Sequence, residues 1–431
     1  MTLPQVRALP LAVASAVALT ALVTATPGAA ATPSPPRWDA PVLVSEKQAA
    51  RETSIVLDPT NPKRQFICSP SGVPATSTGQ SYFYLSSDGG KTWRYENVED
   101  SATDNRKAAF EGGDCDVAFD QGGTMYTADT WLGNLSIGHS TDRGESWQGT
   151  AISGTSPIID RPWLVGGPKG TLYVTYQDLQ CCMPSAMWFM KSTDFGKTFS
   201  PAVSITTADS GGAYTWEGNF VVSPSGKDLY LVYLRRSSGL ANTGRGVGPQ
   251  ETVWVAQSHD GGASWKSHLI ATLPQETTTI YPSIGMDAGG GLHVVWSAPA
   301  AVGNPISYTS STDKGLTWRA PVELNPGKVG LAPWIVGGKK GEAAVAWLGS
   351  PNPKATAQTV ADYYFSWAKV RHSGGRVSVT TGNTTKAPVF TGKQVVPEFE
   401  MLSLDAKGKM HLGMSVYRSP NRWAIYSQSE R

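Results

Sequence analysis

Along the chain one hairpin-sized pattern of apolar and polar positions recurs. A short apolar run leads into a polar turn ending in Gly, and a strand of alternating apolar side chains follows. It reads VAFDQGGTMYTA over 117–128, LVGGPKGTLYVTY over 164–176, VVSPSGKDLYLVY over 221–233 and IGMDAGGGLHVVW over 284–296. It continues as IVGGKKGEAAVAW over 335–347 and LSLDAKGKMHLGM over 402–414. A first copy, IVLDPTNPKRQFIC over 55–68, carries a longer turn. Alternation with period two is the mark of a strand, and Gly supplies the positive φ that tight turns need. Seven inner hairpins are therefore predicted.

Between these hairpins an octapeptide recurs: SSDGGKTW at 86–93, STDRGESW at 140–147, STDFGKTF at 192–199, SHDGGASW at 258–265 and STDKGLTW at 311–318. The aspartates, Asp88, Asp142, Asp194, Asp260 and Asp313, lie 54, 52, 66 and 53 residues apart. Such a fixed period implies repeated supersecondary units that bury their faces against their neighbours. In each copy the carboxylate is suited to accept turn N–H groups, and the final aromatic ring to fill the space between sheets. These aspartates are read as structural and not catalytic. In the sixth unit RHSGGRVSV (371–379) is a degraded copy, and the seventh unit stops at AIYSQSER (424–431) without an outer strand. The segment WDAPVLVS (38–45) matches the strand that follows a box, as in WRAPVELN (318–325). It is expected to complete the last unit. The prediction is an all-β propeller of seven four-stranded blades closed by the N-terminal strand, which leaves no open edge between first and last sheets.

Composition narrows this further. Charged residues make up only 16%, against 46 Gly, 15 Trp and 15 Tyr, a turn-rich β composition. A formal net charge of +2 provides no field for nucleic acid. Arg7, the apolar stretch 8–25 and Ala29-Ala30-Ala31 form the pattern of a secretory signal. Residues 1–31 are therefore expected to be a signal peptide, 32–36 a Pro-rich leader and 37–431 a single domain. That domain is expected to be secreted, free of the membrane after cleavage, and monomeric. Four cysteines in an exported chain suggest disulfides, with three connectivities open. Cys68 ends the second strand of blade one and Cys115 begins the first strand of blade two, so both approach one face. Cys181 and Cys182 could form a vicinal bridge. No spacing of Cys or His suits zinc, and no metal or cofactor is expected. His139, His293 and His411 are read as strand-packing residues.

Strand direction selects a binding face. The box turns share a face with the first-to-second turns, so first strands begin and second strands end on the opposite face, around the channel mouth. Six residues before each inner turn stand Glu52, Asp114, Arg161, Glu217, Tyr281, Ala332 and Phe399. Second strands end at Ser69, Asp129, Tyr176, Tyr233, Trp296, Trp347 and Met414, with Asp178, Arg235, Arg236, Tyr417 and Arg418 just beyond. Arg51, Glu111, Asp116, Asp160 and Glu400 flank the first set. Carboxylates, arginines and aromatic rings thus converge on one mouth, the composition of a ligand site.

The five boxes resemble those of the BNR/Asp-box superfamily, which includes the sialidases (neuraminidases). Asp160-Arg161-Pro162-Trp163-Leu164 looks like the arginine-bearing strand start of that family, and Glu217 with Arg235 like its Glu-and-Arg element. Asp178, ahead of the third box, takes the place of the acid/base. Here the Arg and Glu elements fall in adjacent blades, and Tyr281 stands where a third arginine is expected. The resemblance implies an extracellular glycan as partner, most simply through an exo-sialidase-like hydrolase recognising an anionic sugar. Its catalytic candidates are Asp178, Glu217 and Tyr281. Its substrate-binding candidates are Arg161, Arg235, Arg236, Asp114, Asp129, Tyr176, Tyr233 and Trp296. A polysaccharide lyase and a non-catalytic glycan- or protein-binding propeller remain open alternatives.

Overall fold

The computed structural model describes residues 35–46, 52–71, 80–98, 112–131, 134–153, 159–178, 186–205, 214–236, 240–241, 245–246, 251–273, 281–356, 358–373, 375–393, 399–419 and 422–431. The expected signal segment and Cys181-Cys182 lie outside these. Within Pro36–Arg431 seven antiparallel four-stranded sheets form a ring, each inner strand packing against the inner strands of both neighbours.

Blade one comprises Glu52–Leu57, Gln65–Ser69, Tyr82–Ser86 and Arg94–Tyr95, and blade two Cys115–Phe119, Met125–Trp131, Asn134–Ser140 and Gln148–Ser153. Blade three is Ile159–Gly166, Leu172–Asp178, Ala186–Ser192 and Val203–Ser204. Blade four is Tyr214–Val222, Leu229–Arg236, Glu251–Ser258 and Lys266–Leu273. Blade five is Ser283–Met286, Leu292–Ser297, Ile306–Ser311 and Val322–Glu323, and blade six Val329–Gly337, Glu342–Ser350, Val360–Ser373 and Arg376–Asn383. Blade seven takes Leu402–Leu404, Met410–Ser419 and Arg422–Ser429 from the end of the chain and Val42–Ser45 from its start. All seven predicted inner hairpins form, and closure by the N-terminal strand is as expected. At the degraded sixth box Ser373 pairs with Arg376. An additional strand, Phe390–Lys393, pairs with the first part of Val360–Ser373.

Blades are joined where one sheet's polar side chain bonds the next sheet's backbone. Asp116 Oδ2 accepts the Leu164 N–H (2.8 Å), Asn219 Oδ1 that of Ile284 (2.8 Å), and Ser283 Oγ that of Ile335 (3.1 Å). Box aromatics fill the outer gaps: Trp147 stacks on Phe66 of blade one, and Trp265 meets Phe189 of blade three edge-on. The Cys68–Cys115 disulfide ties blade one to blade two, with Cα atoms 6.4 Å apart and a sequence separation of 47. Closing a loop of that length contributes about 4 kcal/mol through the unfolded state. Cys68→Ser with Cys115→Ser is expected to lower stability by roughly that amount, read as a shift of the denaturant midpoint.

In each box the Asp anchors the turn. Asp194 accepts from Thr198 Oγ1 (2.6 Å), Thr198 N (2.9 Å) and Ser192 Oγ (2.7 Å), bonds that lower its carboxyl to about 2. The residue after the Asp also adopts positive φ, even where it is Arg143 (70°), Phe195 (67°) or Lys314 (60°). A depressed carboxyl stabilises the fold above its ordinary range and loses that contribution as pH falls through the folded value. Asp194→Ala is therefore expected to cost about 1–2 kcal/mol at pH 7, the bonds being solvent-exposed, and progressively less from about pH 4 down to about pH 2. Thermal melts of both forms across that range would measure the convergence.

Candidate functional site

Toward the face opposite the boxes, three inner strands break register within their sheets: between Asp160 and Trp163, between Glu217 and Phe220, and between Leu331 and Trp334. Arg161 and Ala332 there hold positive φ, 45° and 51°, each immediately before a proline. For a residue with a side chain this conformation costs about 1–3 kcal/mol and marks a place where geometry is imposed. The breaks turn Arg161 and Trp163 of blade three toward the axis. The Trp163 ring lies 5.4 Å from Trp334 of blade six and 6.4 Å, edge-on, from Tyr281 of blade five. These rings meet across the channel and form an apolar floor under the mouth.

Arg161 is 1% exposed, and both terminal nitrogens of its guanidinium are engaged. Nη1 pairs with Glu52 Oε2 at 2.5 Å and faces Asp114 Oδ1 at 3.9 Å, while Nη2 donates to the Cys115 carbonyl at 3.2 Å. The same guanidinium stacks on Trp163, 4.5 Å from the ring centroid, and the Arg161 N–H donates to Asp114 Oδ2 at 3.2 Å. One arginine therefore joins blades one, two and three. Removing it leaves two carboxylates at a buried site without their cation, so Arg161→Ala is expected to lose about 3–5 kcal/mol of stability. Urea unfolding would show this as a lowered midpoint.

The carboxyl groups around it are driven apart. Burial pushes Asp114 up, but bonding to Asp160 and the Arg161 charge outweigh it and hold the group below its ordinary value. Its side chain remains 24% exposed, an ionised group open to the mouth. Burial dominates at Asp116, raised to about 6 despite the Leu164 N–H. It dominates more strongly at Glu217, which is fully buried. Among the described residues neither Glu217 oxygen makes a well-formed hydrogen bond, and the Thr175 hydroxyl is a close polar neighbour. Burial raises the Glu217 carboxyl well above the usual range, against the Thr175 hydroxyl and, behind it, the Arg161 charge. The Glu217 N–H donates to Gln177 Oε1 (3.2 Å), and Gln177 Nε2 donates to the Thr215 carbonyl (2.8 Å), fixing the strand start that carries the acid.

The inner-strand candidates thus gather as predicted, while the second-strand candidates divide. Asp178 is buried at the end of its strand, paired in register with Ile159 and Ala186. Asp129 accepts the Ser81 N–H (2.7 Å) and Gly112 N–H (3.0 Å), which makes it a loop anchor between blades one and two. Trp296, 2% exposed, packs in the cluster between blades four and five, and Tyr176 in that between blades two and three. Tyr233 is buried and stacks on Trp254, which Arg235 also covers, 5.5 Å from that ring. The rings of Tyr176, Tyr233 and Trp296 are packing groups in this structure, not open platforms. The Arg236 side chain lies outside the described part. Among the described residues no cluster of His, Cys, Asp and Glu suits a metal ion, and no helix is long and apolar enough to cross a membrane.

No family model matches the chain. Over 213 residues, 45% of its length, it is 26% identical to the xyloglucanase Xgh74A of Acetivibrio thermocellus. That stretch covers 22% of the enzyme, so the match spans about a fifth of that relative. The fold is similar to that of an ulvan lyase of polysaccharide lyase family PL25 bound to -[GlcA(1-4)Rha3S]-. The TM-score is 0.56 at 14% identity, over 91% of this chain and 96% of that one. The polysaccharide lyase Uly1 gives 0.57 at 9% identity, over 92% and 99%. At such identities the likeness is one of fold.

Proposed function

We propose that this chain is an exported glycan-cleaving enzyme of the Asp-box, sialidase-like superfamily, a glycoside hydrolase whose general acid is Glu217. The observation that carries the reading is a fully buried carboxyl with a raised pKa, within reach of the Arg161 charge that also holds Asp114 below its ordinary value. Glycoside hydrolysis needs that division of labour: an acid to protonate the leaving oxygen, and a carboxylate to stabilise or attack the cationic sugar. Asp114, anchored by Arg161, is the ionised partner, and Tyr281 lies close to the same arginine. The partial identity to a xyloglucanase and the fold shared with polysaccharide lyases support a carbohydrate substrate. Five boxes support the superfamily, and the N-terminal pattern of residues 1–31 supports export.

An anionic sugar at the mouth has less support. The Arg161 guanidinium is already taken, and Glu52, Asp114, Asp116 and Glu217 surround it. We read the sugar unit that reaches the mouth as neutral. Tyr281, close enough to Arg161 for its charge to be felt, favours one second reading, a lyase with the phenol as base. Incubating the mature protein with xyloglucan, arabinan, ulvan and sialylated glycans separates these. New reducing ends without ultraviolet absorbance mean hydrolysis, unsaturated uronic ends mean elimination, and binding without product means a lectin-like propeller. If Glu217 is the acid, kcat/KM is expected to fall tenfold per pH unit once pH passes its raised pKa. An alkaline limb starting in the ordinary carboxylate range would rule Glu217 out.

A further inference from the structure

Blade six carries a small cavity, about 190 Å³, at the strand ends of the mouth face. Its polar lining includes Asn325, Lys328, Trp347, Tyr364 and Asn383. Two glycines keep it open. A Cβ at Gly349 would lie 2.6 Å from Ser366 Oγ and 2.9 Å from Trp347 Nε1, and one at Gly382 would lie 2.7 Å from the Trp367 ring. The cavity borders the proposed site, because Val329 on its wall lies on the same inner strand as the channel position Ala332.

Hydrogen-bond accounting fixes its polarity. Asn325 Oδ1 accepts the Ile306 N–H at 2.6 Å, so its carbonyl is used and its NH₂ remains. Asn383 Oδ1 accepts from Ser366 Oγ at 2.9 Å, leaving its NH₂ likewise. The indole N–H groups of Trp296 and Trp367 are sealed in the core, whereas that of Trp347, beside Gly349, opens on the cavity. Lys328, exposed at the rim, adds an ammonium group, and no carboxylate lines the space. Two amide NH₂ groups, an indole N–H and a cation are donors without acceptors of their own. Their complement is a compact group that only accepts, an oxyanion.

We propose that this cavity binds the carboxylate or sulfate ester of an acidic sugar residue belonging to the glycan whose neutral unit occupies the mouth. The inference rests on the hydrolase reading for the glycan but on the blade-six donors for the charge. Sites of opposite polarity on one face of the ring would read a chain that carries both acidic and neutral units.

The test uses the full mature chain carrying Glu217→Gln, so that no probe is consumed, with binding measured calorimetrically. The probes are an oligosaccharide of glucuronic acid and sulfated rhamnose, a neutral xyloglucan oligosaccharide of equal length, and sodium sulfate. The acidic oligosaccharide is expected to bind about tenfold more tightly than the neutral one and to weaken as salt rises. Lys328→Ala and the conservative Trp347→Phe should each weaken it about three- to tenfold without affecting the neutral probe. Gly349→Val should remove the preference by filling the space. Acidic binding unchanged in Lys328→Ala and Trp347→Phe overturns the proposal. So does neutral binding reduced to the same extent, or sulfate alone binding as tightly as the oligosaccharide. Loss of the hydrolase reading would appear separately, as absence of turnover in the chain with Glu217 intact.

Discussion

Replacing Glu217 with Gln is expected to reduce glycan cleavage about 10²–10⁴-fold while leaving the propeller intact. The amide keeps the shape of the protonated carboxyl but cannot give up a proton to the leaving oxygen. Structure and stability can be separated from chemistry because the native carboxyl is fully buried and burial favours its neutral form. Its folded-state pKa lies above the unfolded value, so the native chain is relatively most stable below the ordinary carboxylate range. It loses that contribution as pH rises through the folded value. Gln does not titrate, so the variant's melting temperature should match the native one in acid and exceed it at neutral to alkaline pH. A variant that keeps its rate, or that melts lower at every pH, would remove Glu217 from the acid role.

The frame of this molecule was legible because its rules are periodic. Alternation placed the inner hairpins, the boxes placed the outer turns, and strand direction brought Cys68 to Cys115. The same counting located the inner ring of Glu52, Asp114, Arg161, Glu217 and Tyr281, since inner strands border the axis. It failed at Trp296, Tyr233 and Tyr176 because the ends of second strands still alternate, and these rings turn between blades. It failed at Asp129 because a carboxylate near a loop is matched there by two backbone N–H groups that no side-chain pattern announces. Arg161 was located correctly, yet its role depends on distances to Glu52 and Asp114 that arise from blades far apart in sequence. The raised pKa of Glu217 comes first from its burial, and composition does not record that. Box positions such as Arg143, Phe195 and Lys314 hold left-handed backbone without glycine, because the Asp and Ser bonds on either side over-determine the turn.

Deleting residues 32–45 is expected to have the largest effect on the fold. Blade seven draws its outer strand from the start of the chain, with Val42 opposite Ser427, Leu43 opposite Tyr426 and Ser45 opposite Ile425. The junction extends beyond that ladder. Asp39 N donates to the Ser429 carbonyl (2.9 Å), Arg431 N to the Arg37 carbonyl (2.7 Å), and Gln428 Nε2 to the Asp39 carbonyl (2.8 Å). Tyr84 of blade one donates to Ser45 Oγ at 2.7 Å, so the same strand also meets the first blade. Trp38 and Val44 pack against the main core cluster, and their loss exposes an apolar face of blade seven. The Asp39–Arg431 pair is more than half exposed and adds little. Several backbone bonds at about 1 kcal/mol each, plus two partly buried apolar side chains, amount to on the order of 5 kcal/mol or more. That approaches the whole stability of a typical domain. A ring also depends on closure in a way an open array does not, because blade seven without its outer strand presents a bare edge for aggregation. The truncated chain should therefore melt far below the full mature chain, or fail to fold, and self-associate on sedimentation. A deletion that melts alongside the full chain would mean that three sequential strands suffice for blade seven and that closure lies in the inner ring alone.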